Sequence, residues 1–479
     1  MPMLHDVIII GSGLGGLVCA TLLAQDGARV LVLERQAQPG GCMQSYRRNG
    51  FDYDTGLHYI GGLDEGQPLH EPFRRIGLLN LPWKRLDREG FDHIRIGNCD
   101  FAFPQGYQNF VDVLAHQFPY ERTGLEQYVR MLQEVKADAY SPLMAIGAWD
   151  YLHSTFHNEL LINILSSTSQ KMELHKETLP LFTFAHGNAS FIQSAWRLQG
   201  SGNLLVNRLI EQIKAGGGDV KCRQEVDELI EADGKIVAAQ CTNGETYEAK
   251  AFISDAHPAV TCSWVKESEK MKKIYRRRIS TLPNTFGMFT VSLRMKDKTL
   301  PYFNFNQYIY RKANVWDFFE QPSTNVGGLL VSCRIPTDGG KYAHQVDLLT
   351  PMTWQEVEKW QDTVVGHRGE EYQEMKRKHT EACIDLASTV FPQLRESIEE
   401  CHTSTPLTYR DYNLSPLGSA YGIRKDYHQP LLTTVLPQSP IPNLLLTGQN
   451  LVAHGVEGVT LISQKTAQIA TNYLNELTC

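Results

Sequence analysis

"HDVIIIGSGLGGLVCATLLAQDGARVLVLER" occupies residues 5–35. Residues 7–10 form a short apolar run, the pattern of a parallel strand buried on both faces. Gly11, Gly13 and Gly16 follow in the spacing G-x-G-x-x-G. The first glycine permits a tight turn, the second lets backbone approach a diphosphate, and the third lets a helix pack on the strand. Residues 14–25 read as that helix, with its positive end aimed at the phosphates. Asp26-Gly27 stops it. Residues 29–33 read as a second strand, and Glu34 stands at its end, 18 residues past Gly16. A carboxylate there accepts hydrogen bonds from an adenosine ribose and disfavours a 2′-phosphate, which argues against NADP. A glycine turn without a ligand would not need this order of strand, turn, helix, strand and acid.

The pattern continues beyond the acid as "QAQPGGCMQSYRRNGFDYDTGLHYIGG", residues 36–62. A plain NAD domain has no use for a second glycine pair so soon. A flavin dinucleotide does, because its ribityl chain and ring reach well past the adenosine. Gly40-Gly41 lets backbone lie close to that chain. The expected cofactor is therefore FAD. Its expected contacts at this end are Gly11, Ser12, Gly13, Leu14, Gly15, Gly16, Glu34 and Arg35, then Gly40, Gly41, Cys42, Met43 and His58.

The stretch "GGCMQSYRRNGFDYDTGLHYIGG" resembles the flavoprotein family of retinol saturases, carotenoid isomerases and phytoene desaturases. Its Gly-Gly-Cys and Asp-Thr-Gly-Leu-His-Tyr-Ile-Gly portions are most similar to the retinol saturases. Amine oxidases of the same superfamily usually carry Arg where this chain has Cys42. The resemblance continues in "NLLLTGQNLVAHGVEGVTLISQKTAQIA", residues 443–470. There a strand, Gly448, a loop and a helix beginning near Gly458 would close the flavin site. It implies contacts from Gly448, Gln449, Gly458, Val459 and Thr460, with helix amides aimed at the flavin's pyrimidine oxygen. Gly418, Tyr421 and Gly422 also resemble the family.

Between these ends, residues 199–258 read as a helix over 204–213 and strands over 219–226, 227–231, 235–242 and 245–253. Asp233-Gly234 and Asn243-Gly244 supply hairpin turns. The resemblance places the Val226 backbone against the adenine. The expected fold class is α/β, a Rossmann-type FAD-binding domain of glutathione-reductase-like form with a discontinuous α+β substrate domain. The FAD-binding domain would comprise 1–80, 195–262 and 430–479. The substrate domain would comprise 81–194 and 263–429, which are rich in Tyr, Phe, Trp and Leu. Residues 350–394 read as two amphipathic helices, with Glu374 and Lys378 paired four apart.

Composition sets the outer limits. The chain has 479 residues, 42% hydrophobic and 21% charged, enough for two or three packed units. Its formal net charge of -7 gives no support to nucleic-acid binding. Ten cysteines stand singly, without a Cys-x-x-Cys pair, so reduced thiols in a cytoplasmic protein are expected and a metal site is not. The first residues show no secretory pattern, and no apolar run has the length of a membrane span. Residues 270–278, from Lys270 to Arg278, carry six basic residues in nine. They read either as a solvated helix face preceding a strand or as a peripheral contact with anionic lipid.

The chemistry follows from the cofactor. A flavin carries the redox step, while the protein supplies position and excludes water. An isoprenoid polyene calls for a long apolar tunnel ending on the ring. Saturation of a double bond needs a hydride and a proton, and His58, Tyr59 and His186 are the candidate catalytic residues. His454 lies in the closing loop as a further histidine. Cys42 reads as a small residue chosen for fit, with a redox thiol or a covalent flavin link as the chemical alternatives. No second dinucleotide fingerprint is present, so NAD(P)H would act only as a transient electron donor. The expected activity is an FAD-dependent oxidoreductase on C=C bonds, most similar to a retinol saturase. The alternatives are a carotenoid desaturase or cis–trans isomerase, a flavin amine oxidase, and a non-enzymatic lipid escort.

Overall fold

The computed structural model describes residues 5–172, 174–319 and 326–477. Its first sheet is built around the apolar run at the N-terminus. Strand His5–Ile10 lies between Val30–Glu34 and the second half of Thr246–Ser254, parallel to both. Asp219–Cys222 extends the parallel sheet on one side and Leu444–Leu446 on the other. Val7, Ile8 and Ile9 are fully inaccessible, because helices cover one face of this sheet and the strands Val226–Ala232 and Lys235–Cys241, with helix Pro258–Trp264, cover the other. The helix Leu14–Gln25 packs on it together with Asn203–Ala215 and the C-terminal helix Gly455–Glu476.

The middle segment forms helix Asn203–Ala215 and a meander Val226–Ala232, Lys235–Cys241, Thr246–Ser254. The break in the first expected strand falls earlier than Val226, at Arg223, whose φ of 59° turns the chain. Asp233 and Gly234 both have positive φ, as a type I′ hairpin requires. At Asn243-Gly244 only the glycine does.

The second sheet has the order Ile398–Ser404, Gly287–Met295, Gln345–Met352, Gly328–Cys333, Asn306–Tyr310, Asp92–Ile96, Cys99–Phe103. All its pairings are antiparallel except Asn306–Tyr310 with Asp92–Ile96. One face packs on helices between residues 107 and 193, the other on helix Glu370–Ser388. The α/β class with a Rossmann-like unit and a separate mixed sheet is thus present.

Two local expectations need correction. Residues 350–394 contain one helix rather than two. Trp354–Glu356 and Glu358–Trp360 are single 3-10 turns, and Gly366 and Gly369 take positive φ before Glu370–Ser388 begins. Within that helix Glu374 and Lys378 do pair, at 3.7 Å on the exposed face. The basic stretch is helical over Lys273–Thr281 and the strand Gly287–Met295 follows it, in the order expected. Finally, the C-terminal helix starts at Gly455, a turn earlier than expected.

Candidate functional site

A continuous cleft starts at the carboxyl ends of the first two strands and runs between the sheets. This is where ligands bind in open parallel sheets, outside the strand ends. Gly11 turns the chain with φ of 98°. A β-carbon on Gly16 would lie 2.2 Å from Gly11 O, so only glycine lets the helix approach the turn. No side chain caps the helix at Gly13, and its first turn carries no acid. Apart from Gly16, whose amide faces Asp255, its leading amides are therefore available to an anion.

Glu34 is 7% exposed and already oriented. Its Oε2 accepts from the Ser12 amide at 3.0 Å and from the Ser12 hydroxyl, while Oε1 accepts from the Gln36 amide at 2.7 Å. A carboxylate has about four acceptor positions, so room for ribose hydroxyls remains. Arg35 pairs with Glu225 at 3.6 Å, and Val226 lines the same end of the cleft.

The extension folds back on the glycine turn. The Gly40 amide donates to Ser12 Oγ at 3.1 Å, and a β-carbon on Gly41 would stand 3.1 Å from Gly13 Cα. Cys42 and Met43 come next along the wall. Burial, aided by the charge of Asp255, pushes the Cys42 thiol up to about 11, so it is protonated at neutral pH. Asn413 Nδ2 donates to its sulfur at 3.2 Å.

Farther in, two buried arginines fasten the extension to the second sheet. Arg334 donates to Asp347 at 2.9 Å and to Leu57 O, and pairs with Asp54 at 3.1 Å. Arg197 donates to His58 O at 3.2 Å and to the side chains of Asn306 and Ser332. His58 Nδ1 lies 3.4 Å from Arg334 Nη2. Burial, then the charges of Arg334 and Arg197, hold this imidazole well below its usual pKa, so it is neutral and Nδ1 accepts. The Tyr59 hydroxyl donates to Asp92 at 3.0 Å and lies 2.9 Å from the Tyr308 hydroxyl. Burial and the Asp92 charge push Tyr59 well above the ordinary phenol range. His186 is buried on helix Leu181–Gln193, with Nδ1 3.9 Å from Glu457.

Gly448, Gln449 and Val459 also line the cleft. His454 bonds Lys171 O through Nε2 at 3.0 Å, and burial lowers its pKa to about 4. No side chain caps the helix it precedes. Four expected contacts stand behind the wall. Gly16 packs on Gly11, Gly40 acts through Ser12, and Gly458 packs on Ala453, whose β-carbon lies 2.7 Å from where one on Gly458 would stand. Thr460 Oγ1 donates to Val456 O at 2.7 Å.

Sequence reasoning missed Asp255, Lys171, Arg197, Arg334 and Tyr308. Asp255 had a signal, as the first residue after a parallel strand. The others had none, because only tertiary pairing brings them inward. The deep end of the cleft is lined by Met288, Leu330, Leu349, Phe191, Tyr409 and Tyr421. Among the described residues no helix is long and apolar enough to cross a membrane.

Comparison with known proteins agrees with this geometry. A family described as NAD(P)-binding Rossmann-like domain matches residues 9–76. The chain is 25% identical to all-trans-retinol 13,14-reductase of Homo sapiens, covering 96% of this chain and 84% of that protein. It is 23% identical to prolycopene isomerase 1, chloroplastic, of an Oncidium hybrid cultivar, covering 87% of this chain and 75% of that one. Cyclohexylamine oxidase from Brevibacterium oxydans IH-35A shares the fold, with a TM-score of 0.65, 16% identity and full coverage of both chains. The chain is thus similar along nearly its whole length to the all-trans-retinol 13,14-reductases and over most of it to the prolycopene isomerases.

Proposed function

We propose that this chain binds FAD along the cleft and acts as an oxidoreductase on carbon–carbon double bonds of an apolar isoprenoid or polyene, in the saturating direction. One observation carries the reading. The cleft runs without interruption from the Glu34 end, past the glycine turn, to a chamber walled by aliphatic and aromatic side chains. The fit to a flavin dinucleotide rests on the uncapped helix end, the oriented acid and the glycine pair seated on the turn. FAD, when bound, supplies two-electron exchange with a C–C unit. NAD(P)H is the proposed transient reductant.

This chain's own residues would bind, orient and keep water out. Glu34 and Val226 would hold the adenosine end, and the amides after Gly13 the diphosphate. Gly41, Cys42, Met43 and His58 would border the ring, with Gly448, Gln449 and Val459 opposite. A proton for the substrate would sit on Tyr59, whose hydroxyl is tied to Asp92 and Tyr308. His58 and His186 are second in line. The division into cofactor segments 1–80, 195–262 and 430–479, and substrate segments 81–194 and 263–429, belongs to the same reading. So does a cytoplasmic protein touching membrane surfaces through residues 270–278.

Desaturation or isomerisation would use the same cofactor and chamber, and the prolycopene isomerases keep that reading open. Amine oxidation is less favoured. Cys42 stands where Arg is usual, and the Lys171 ammonium on the chamber wall would repel a cationic amine. A non-enzymatic escort would not need the intact cradle. The test is direct. The purified protein should be yellow, with absorbance near ~450 nm from bound flavin. After anaerobic reduction it should be reoxidised by a polyene that gains two hydrogens by mass. A colourless chain that takes up no FAD overturns the proposal, and loss or conservation of hydrogen selects the alternatives.

A further inference from the structure

Lys171 is the one cation on the wall of the apolar chamber that has no acceptor among the described residues. It follows the helix Glu159–Ser167 in a 3-10 turn and is only partly accessible. Its carbonyl is bonded by His454, which ties it to the start of the C-terminal helix. Its ammonium lies 4.2 Å from the centre of the Phe191 ring and 5.8 Å from that of Tyr59. Both rings belong to the cleft wall. The carboxylate that acts on it most, Asp92, is already engaged by Tyr59 and by Asn306 Nδ2 at 2.8 Å. No ion pair joins Lys171 to any described residue.

An ammonium has three donors and no acceptor. Ring faces satisfy part of its charge but none of its hydrogen-bonding capacity. A donor that an entering hydrocarbon strips of water and leaves unmade costs free energy that a bound oxygen would recover. Burial lowers Lys171 to about 8, so the cation still predominates at neutral pH. A hydrocarbon polyene would leave this group unmet; a polyene ending in oxygen would not.

We propose that Lys171 forms a subsite for the oxygenated end of the substrate, so that the chamber takes polyenes ending in carboxylate or carbonyl in preference to pure hydrocarbons. This rests on the polyene reading above. The chamber fixes the chain, and Lys171 fixes which end enters.

The test uses the FAD-loaded full chain at pH 7, with all-trans-retinoic acid and the matching hydrocarbon that ends in methyl as probes. Binding is read from quenching of protein fluorescence. Wild type should bind the acid at least about tenfold more tightly than the hydrocarbon, the margin of one charge-assisted hydrogen bond. Lys171→Met should lose that margin while its affinity for the hydrocarbon is unchanged. Lys171→Arg should keep most of it. Equal binding of both probes by wild type, or a margin that survives in Lys171→Met, overturns the subsite and leaves the polyene reading standing. Binding of neither probe by folded, flavin-loaded wild type overturns the polyene reading itself, and the subsite with it.

Discussion

Asp255 fills the notch beside Gly13: a β-carbon on that glycine would lie 2.4 Å from Asp255 Oδ2. The same carboxyl group crowds the missing side chains of Gly15 and Gly448, each at 2.4 Å. Burial, reinforced by the charge of Glu34, pushes Asp255 up to about 7, against the opposing amides of Gly16 and Gly13. A diphosphate brought to that helix end would meet a neutral acid below pH 7 and a carboxylate above it. FAD affinity is therefore expected to fall by about tenfold between pH 6 and pH 8.5, the scale of one pKa unit of interaction. Asp255→Asn should flatten the profile in a fluorescence titration with FAD. The linkage sign agrees. An acid whose pKa is raised by folding contributes stability below its unfolded value, lost as pH rises through 7. A flat wild-type profile would contradict this placement of charge.

Gly41 should be intolerant for reasons of contact. Its φ is 53°, and an added β-carbon would press on Gly13 at 3.1 Å. Gly50, with φ of 78°, has nothing within 4 Å of that position. Both alanine variants carry left-handed strain of roughly 1–2 kcal/mol. Only Gly41→Ala should also lose flavin, with the flavin-to-protein absorbance ratio after gel filtration falling well below that of Gly50→Ala. Equal ratios would mean that the glycine pair does not shape the cofactor seat.

Arg334 joins Asp54 to Asp347 in a place with almost no solvent, where it is 8% exposed and Asp347 is fully buried. Arg334→Met would leave two buried carboxylates without their cation. A loss of about 3–5 kcal/mol is expected from urea unfolding. Arg334→Lys should recover only part, because an ammonium lacks the planar fork that reaches both acids and Leu57 O. A loss below about 1 kcal/mol would show that water enters the junction.

The basic helix Lys273–Thr281 carries Ile274 at 79% exposed, and Arg278 Nη1 donates to Leu432 O beside the exposed Leu431. Arg276 is spent on the carbonyls of Cys262 and Met271, so it is not a lipid contact. On the proposed membrane contact, cosedimentation with vesicles containing phosphatidylserine should be strong at low salt and weak in 0.5 M salt, about a threefold shorter screening length. Lys273→Glu with Arg277→Glu should abolish it without changing the flavin absorbance. Binding insensitive to both would remove this helix from the contact.

The nucleotide end was legible because burial on both faces forces an uninterrupted apolar strand, and because the turn and acid that follow have fixed spacing. Asp233-Gly234 was legible for a similar reason, since two successive left-handed residues need that composition. The second sheet was not. Its register, such as Val291 opposite Leu348, joins segments far apart in the chain. The stretch 354–360 misled because Trp354 and Val357 share a spacing common to a helix and to 3-10 turns. At the site, Arg197 and Arg334 sit among residues that give no hint of burial, and only their pairing across the two sheets brings them inside. Lys171 adjoins a run of Ser, Thr and Gln that reads as surface.

The order in which the cleft's walls are synthesised bears on when a cofactor can be captured. The cradle emerges early, but the strand Leu444–Leu446 and the helix Gly455–Glu476 that border its inner end follow only after the whole second sheet. Between them the chain leaves the first sheet for the second and returns more than once. At about 5–20 residues per second of synthesis, a nascent chain spends many seconds with half a seat and an open apolar chamber. The seat for a cofactor is complete only after these two segments have been made and have folded back on the cradle.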